Sequence, residues 1–148
     1  MKNSMKACDR VECLGCRIAN QLETEVNLIY ETERIACVLD IAPFNDGHLL
    51  ILPKQHYLDI DEIENDLRHE IIDTSVKMSL LLKRSFNPHG ITICQNGGIF
   101  NDLRHYHMHV IPRYDGDDFR WSEPKLEFKT DRTLEEVRNL LIAAHKEE

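Results

Sequence analysis

The first half of the chain carries short apolar segments whose pattern is typical of β-strands. Residues 26–31 and 34–40 are rich in β-branched and other apolar side chains and predict a hairpin. Residues 48–52 form an apolar run between the turn signal at 45–47 and Pro53, which predicts a third strand. Most connections between the strands are too short for parallel crossovers, so the sheet is expected to be mainly antiparallel.

Two later segments show the three-to-four-residue spacing of helices. The first has Asp61 and Glu64 near its start and Asn87 beyond its end. The second is expected to begin near Asp131. Its apolar stripe is typical of core or dimer packing. The first helix repeats apolar residues at Ile60, Ile63, Leu67, Ile71, Met78 and Leu81, and the second has the capping-box pair Thr133 and Glu136 followed by Leu134, Val137, Leu140, Leu141 and Ala144.

Two further strands are predicted between these helices. Residues 91–95 alternate and end at Asn96-Gly97-Gly98, while residues 105–111 alternate histidine with Tyr106, Met108 and Val110. Strands and helices mix without a regular alternation, which favours the α+β class. We therefore expect a mainly antiparallel five-stranded sheet with a long helix on one face and a C-terminal helix.

Composition narrows the classes of function. The 148 residues, 42% of them hydrophobic, fit one domain over 1–148. The net charge of −8 argues against nucleic acid as a partner. No apolar run approaches the roughly 18 residues that cross a bilayer, and the N-terminus lacks the apolar region of an export signal. Five cysteines without such a signal predict reduced thiols and a cytoplasmic protein.

Three of the eight histidines, His105, His107 and His109, are spaced two residues apart. On a strand they share one face at intervals of about 6.5 Å. Three buried imidazoles with a purely structural role would each need a partner and would take apolar area from the core, so this pattern points to chemistry. One alternative is a catalytic metal held by all three, which requires the side chains to converge strongly.

The stretch from His105 to Ile111 resembles the signature of the histidine triad (HIT) superfamily. Residues 39–43 and 47–54 resemble a second signature of that family, residues 96–98 its phosphate loop, and Pro112-Arg113-Tyr114 the continuation in bacterial-type members. The resemblance covers residues 13–114, which leaves 115–148 as a C-terminal extension.

The resemblance implies a hydrolase or nucleotidyl transferase acting on nucleoside phosphoramidates or dinucleoside polyphosphates. His107 would attack the α-phosphorus and form a nucleotidyl-histidine, His109 would bind phosphate oxygens, and His48 would support the triad from the adjacent strand. This chemistry needs no catalytic metal, because a neutral imidazole is available at pH 7. The alternative is a nucleotide-binding regulatory protein with little turnover.

The resemblance also implies the nucleotide contacts. Asp40 would accept hydrogen bonds from the ribose diol, with Ile41 against the base, although an aspartate that caps the next turn explains Asp40 as well. Phosphate contacts are implied at Asn96, Gly97, Asn101 and Asp102. Well-studied phosphoramidases of the family have glutamine and serine where this chain has Asn101 and Asp102. An ionised carboxylate cannot donate the hydrogen bond of a serine, and it repels phosphate. The replacement of serine by Asp102 therefore affects which leaving group is preferred.

Cys13 and Cys16 form a CxxC pair that alone indicates a zinc knuckle, a redox pair or coincidence. The zinc-bearing branch of the family takes two cysteines, a histidine after the Pro-Lys turn and the first triad histidine. The resemblance therefore implies a structural zinc on Cys13, Cys16, His56 and His105, with Cys8 as a competing ligand. It also implies a homodimer through the long helix and the strand before the phosphate loop.

Overall fold

A five-stranded antiparallel sheet organises the part of the chain that the computed structural model describes, residues 12–120 and 131–146. Every pair of neighbouring strands is antiparallel, and the spatial order is β1-β2-β3-β5-β4. The strands are β1 (Leu28–Glu31), β2 (Ile35–Leu39), β3 (Leu49–Pro53), β4 (Gly90–Gln95) and β5 (Met108–Arg113). The predicted α+β class and the antiparallel sheet are confirmed.

Helices lie against both faces of this sheet. Helix α1 (Leu14–Ala19) packs Ala19 against small and branched residues of β2 and β3, and helix α2 (Asn65–Phe86) lies against β3 and β5. The larger core lies beneath α2, where the helix buries Leu67, Ile71, Met78 and Leu82 with strand residues Ile35, Cys37, Leu49, Ile51 and Val110. Burial of these apolar side chains is the main force that fixes the sheet, and therefore the strand ends that carry the site.

Helix α2 begins later than the apolar spacing predicts. Ile60–Glu62 is a separate turn of 3-10 helix, and Ile63 is extended, so the helix starts at Asn65. The Glu62 carboxylate accepts the Leu58 backbone N–H at 2.7 Å, which stabilises the separate turn. The other end agrees with the prediction, because Asn87 adopts the left-handed conformation (φ 47°) that ends helices.

Strand β5 also begins later than predicted, at Met108 rather than His105. The Tyr106 backbone N–H donates to the Tyr57 carbonyl at 2.6 Å, which lies outside the sheet, and pairing with β3 starts only at Met108 opposite Ile51. The prediction that residues 105–107 belong to a strand is therefore wrong. Only His109 of the three histidines lies on β5.

Helix α3 (Leu134–His145) belongs to a second compact unit, residues 119–148. Its N-terminus is the predicted capping box. Thr133 Oγ1 accepts the Glu136 N–H at 3.2 Å, and the Glu136 carboxylate accepts the Thr133 N–H at 2.7 Å. The C-terminal helix is confirmed, whereas one domain over 1–148 stays a prediction.

Within residues 12–120 and 131–146, no helix has both the length and the apolar character that crossing a bilayer requires.

Candidate active site and metal centre

His107 is buried just before β5, and its hydrogen bonding fixes which ring nitrogen is free. Nδ1 lies 2.8 Å from the carbonyl oxygen of His105. A carbonyl only accepts, so Nδ1 carries the proton and donates it. In the neutral ring Nε2 then keeps its lone pair. That nitrogen lies 3.6 Å from Asp102 Oδ1, and His107 lines a cavity together with Asp102 and His109.

His48 and His109 form a second, linked pair. His48 Nδ1 accepts the Phe44 backbone N–H at 3.2 Å, so a neutral His48 carries its proton on Nε2, which lies 2.9 Å from His109 Nδ1. His109 therefore accepts at Nδ1 and carries its own proton on Nε2. This assignment predicts that His109 presents a hydrogen-bond donor rather than a lone pair.

Both rings of this pair are neutral at pH 7. Burial, together with the nearby His107 and His48, lowers the pKa of His109 to about 4, against the opposing charges of Asp40 and Asp102. Burial also lowers the pKa of His48, against the opposing charge of Asp40. Neutral rings are consistent with the chain of donors and acceptors from Phe44 through His48 to His109.

Asp40 and Ile41 follow the end of β2 at the mouth of the same cavity. Asp40 Oδ1 accepts the Ala42 N–H at 2.8 Å, which is the turn cap weighed as the alternative, and Oδ2 lies 3.5 Å from His48 Nε2. The Ile41 side chain is 88% exposed. The carboxylate therefore caps its own turn and also faces the cavity.

The cavity has a volume of about 540 Å³, within the range of small-molecule sites. Its lining includes the aliphatic side chains of Ile18, Val26, Leu39, Ile41 and Leu103 and the polar side chains of Asp40, Asp102, His107 and His109. A largely apolar lining with a few polar groups is typical of small-molecule sites.

The predicted phosphate loop lies outside this lining. Asn96 and Gly97 follow β4, where Gln95 pairs with Met108. The Gly98 N–H donates to Asp59 Oδ1 at 3.0 Å, a contact that sequence reasoning missed because Asp59 is 39 residues away. Asn101 is buried and donates from Nδ2 to the Leu58 carbonyl at 3.0 Å. Phosphate contacts by Asn96, Gly97 and Asn101 stay predictions.

The four predicted metal ligands lie together. The ligand atoms of Cys13, Cys16, His56 and His105 are all within 4.8 Å of one another. His105 Nδ1 is 3.6 Å from Cys13 Sγ and 3.5 Å from Cys16 Sγ, and His56 Nδ1 is 3.6 Å from Cys16 Sγ. Tetrahedral zinc with Zn–S of about 2.3 Å and Zn–N of about 2.05 Å places sulfur and nitrogen about 3.6 Å apart. These residues therefore fit zinc.

Neighbouring groups orient His105 toward the cysteines. His105 Nε2–H donates to the Pro53 carbonyl at 2.8 Å, so Nδ1 keeps its lone pair. Helix α1 approaches so closely that a Cβ at Gly15 would lie 2.3 Å from His105 Cβ. Cys8, the competing ligand considered above, lies outside the described residues.

The structure turns His105 away from the other two triad histidines. Both of its ring nitrogens have partners, one toward the cysteines and one at Pro53. Among the described residues, the other set of three ligand atoms within metal range is Asp40, His48 and His109, and hydrogen bonding already joins His48 to His109. His105, His107 and His109 do not form a common metal site in the described chain.

The fold and the site define an α+β protein in which an imidazole nitrogen with a free lone pair opens on a ligand-sized cavity. The HIT domain profile matches residues 21–116, and the chain belongs to the HIT family. An uncharacterized HIT-like protein of Methanocaldococcus jannaschii is 37% identical over 107 residues, which are 71% of this chain and 81% of the relative. A Candida albicans adenosine 5'-monophosphoramidase is 31% identical over 109 residues, 70% of this chain and 71% of the relative.

Solved structures agree with this assignment. A HIT family protein from Bacillus anthracis superposes with a TM-score of 0.78 at 27% identity, covering 93% of this chain and 97% of that one. A zinc-bound histidine triad protein from Mycobacterium smegmatis superposes with a TM-score of 0.68 at 29% identity, covering 90% and 93%.

Proposed function

We propose that this HIT protein is a nucleotide hydrolase or nucleotidyl transferase that acts at the α-phosphorus through a nucleotidyl-histidine. Its substrates are nucleoside phosphoramidates or dinucleoside polyphosphates. The observation that carries the proposal is the 2.8 Å contact of His107 Nδ1 with the His105 carbonyl, which leaves the Nε2 lone pair for attack at the cavity. The Candida relative named as a monophosphoramidase supports the same reaction class.

In the first step, His107 Nε2 forms a bond to the α-phosphorus, and the bond to the leaving group breaks. The leaving group departs with the electron pair and takes a proton from solvent. His109 Nε2–H donates to a phosphate oxygen as charge develops there, and His48 positions His109 through its bond to Nδ1. His107 and His109 are the catalytic residues, and His48 is the positioning residue.

In the second step, water attacks the phosphorus and gives up one proton to solvent, and the bond to Nε2 breaks with its electron pair on the nitrogen, which releases the mononucleotide and restores neutral His107. The His105 carbonyl stabilises the positive ring of the intermediate, because it accepts from the Nδ1–H throughout. An acceptor other than water in this step makes the enzyme a transferase.

The nucleoside would lie against the aliphatic side chains of the cavity lining. Asp40 Oδ2 accepts from the ribose diol, since Oδ1 is already bonded to the Ala42 N–H, and Ile41 covers the base. Asn96, Gly97, Asn101 and Asp102 are the proposed phosphate-side residues. Of these four, Asp102 lines the cavity, which makes it the first to test.

Zinc is the proposed occupant of the Cys13, Cys16, His56 and His105 site. The sulfur–nitrogen distances of 3.5 to 3.6 Å support it, as does the zinc-bound Mycobacterium relative. The metal would be structural, because it would tie α1 to the segment that carries His107. No catalytic metal is proposed. Two thiol ligands suit a reducing compartment, so we place the protein in the cytoplasm.

A homodimer is proposed through α2 and β4. Ile72, Val76 and Leu80 repeat every four residues on the outer face of α2 and are about half exposed, as is Ile93 on β4. Exposed apolar stripes of this kind mark interfaces. Sedimentation of the wild type should give twice the chain mass, and Val76→Glu should shift it to the monomer; a wild-type monomer at micromolar concentration would overturn the dimer.

The reaction is tested by mononucleotide release from adenosine 5'-phosphoramidate and diadenosine tetraphosphate. The wild type should release AMP from at least one, His107→Ala should lose release, and His69→Ala, an exposed histidine on α2, should retain it. The alternative is a nucleotide-binding regulatory protein. Tight AMP binding by the wild type with no release from either substrate would favour that alternative.

A further inference from the structure

The Asp102 carboxylate stands beside the nitrogen that the proposed function assigns to attack. Its Oδ1 lies 3.6 Å from His107 Nε2, and the side chain is 92% exposed. The preceding residue is anchored, because Asn101 donates from Nδ2 to the Leu58 carbonyl at 3.0 Å. Asp102 therefore places a solvent-exposed carboxylate within several ångströms of the reacting phosphorus and of the group that leaves it.

The charges that line the cavity are all negative among the described residues. They are Glu23, Glu25, Asp40 and Asp102, and neither lysine nor arginine belongs to the described lining. Glu23 is paired with Arg17, which neutralises it, and Asp40 is bonded within its turn. Arg104 lines a separate, smaller cavity with Asp59. The hydrogen bond from Ala42 leaves the charge of Asp40 in place, so the uncompensated negative field comes from Glu25, Asp40 and Asp102, and Asp102 is the one with an oxygen 3.6 Å from the attacking nitrogen.

This field acts differently on the two kinds of substrate. A polyphosphate leaving group brings several negative charges past Asp102 and meets no arginine or lysine in the described lining. An amine leaving group with a second, ammonium-bearing end brings a positive charge to the same place. Opposite charges several ångströms apart at a hydrated surface change a rate by about threefold to tenfold.

We propose that Asp102 is a specificity-determining residue that favours nucleoside 5'-phosphoramidates whose amine leaving group carries an additional positive charge. The inference rests on the proposed function and names its substrate class. His107 Nε2 bonds to phosphorus, the phosphorus–nitrogen bond breaks, and the departing nitrogen keeps the electron pair and takes a proton from solvent. Water then releases the mononucleotide.

Asp102 also faces the His107 ring when that ring becomes positive in the covalent intermediate. Neutralising the carboxylate therefore changes the rate for every substrate, whatever its leaving group. The measure of specificity is the ratio of kcat/KM between two substrates that differ only in the remote charge, since the effect on the intermediate cancels in that ratio.

The test compares two adenosine 5'-phosphoramidates of equal chain length, one made from 1,4-diaminobutane and one from pentylamine. We expect the wild type to favour the ammonium-bearing substrate about threefold to tenfold in kcat/KM. Asp102→Asn should lower this ratio toward one. The matched control is Glu33→Gln. This substitution removes the same charge from an exposed residue that precedes β2, at the end of that strand away from Asp40 and the cavity, and it should keep the wild-type ratio.

Salt gives a second readout, because about 1 M KCl shortens the screening length to about 3 Å. The wild-type ratio should fall toward one, and the Asp102→Asn ratio should change less. Equal kcat/KM for both amidates in wild type and Asp102→Asn, with release still lost in His107→Ala, would overturn this inference and leave the proposed function standing. Release from neither amidate by the wild type would overturn this inference, and no release from diadenosine tetraphosphate as well would overturn the proposed function.

Discussion

Gly15→Ala tests the close packing of helix α1 on His105. Two effects of this substitution oppose each other. Gly15 lies inside α1 without a positive φ, so helix propensity alone predicts that alanine stabilises the protein by about 0.5–1 kcal/mol. Packing predicts the reverse, because the new Cβ would lie 2.3 Å from His105 Cβ and 2.4 Å from Cγ.

The magnitude follows from these two distances. Non-bonded carbons lie about 3.5–4.0 Å apart, so α1 and His105 must separate by at least about 1.2 Å. The His105 Cβ is fixed to the backbone and cannot rotate away. Overpacking of this kind costs about 1–3 kcal/mol. A metal site tolerates shifts of about 0.2 Å in its ligand distances, so the same movement should release the zinc.

The assay pairs urea unfolding with the zinc content of the purified protein. Gly15→Ala should lower the free energy of unfolding and hold well under one zinc per chain. The control is Gly90→Ala, where an added Cβ meets no atom within 4 Å and the φ is not positive. A Gly15→Ala protein with full zinc and unchanged or higher stability would refute the packing argument.

Three further predictions follow from other parts of the structure. Dialysis against a chelator should remove about one zinc per chain and lower Tm, and added zinc should restore it; an unchanged Tm would contradict a structural metal. Burial lowers the pKa of His48, and that of His109 to about 4, below the usual value of about 6.5. The unfolded chain therefore binds more protons between pH 4 and 6.5, so the free energy of unfolding should rise with pH across that window, and His109→Gln should flatten the rise in urea titrations. At Asn87, with φ 47°, alanine should cost about 1 kcal/mol and glycine close to nothing, and equal losses in denaturant unfolding would contradict the helix-end account.

The first strands of the sheet were predictable because they carry local signals. Residues 34–40 and 48–52 are apolar on both faces, and in the structure α2 covers one face while α1 and its neighbours cover the other. The capping box at Thr133 was also readable, since it depends only on residues three apart. Such features depend on residues that are close together in the chain, so a single sequence is enough to predict them.

The start of β5 could not be predicted from the sequence, because a backbone contact with a residue far away in the chain determines it. The alternation from His105 onward is that of a strand, yet the Tyr106 N–H bonds to Tyr57 and leaves the ladder. Helix α1 was missed for another reason, because its six residues are too few to show a helical period and include Gly15. The role of Asp59 at Gly98 depends on residues 39 apart.

The resemblance to a family grouped residues that are far apart in the sequence and that no local sequence pattern connects. Cys13 and His105 are separated by 92 positions, and their ligand atoms lie 3.6 Å apart. The tautomers of His48, His107 and His109 depended on the structure, because each rests on one backbone or side-chain partner. These hydrogen-bond partners determine which ring nitrogen of each histidine donates and which accepts.

The central claim is that His107 Nε2 becomes covalently bonded to the α-phosphorus. Its most direct test is mass spectrometry of protein quenched in base during turnover of adenosine 5'-phosphoramidate. We predict that the peptide carrying His107 gains the mass of one adenylyl group in the wild type and in His69→Ala, and not in His107→Ala. AMP released at the wild-type rate by His107→Ala, or an adenylyl group found on another residue, would contradict the account.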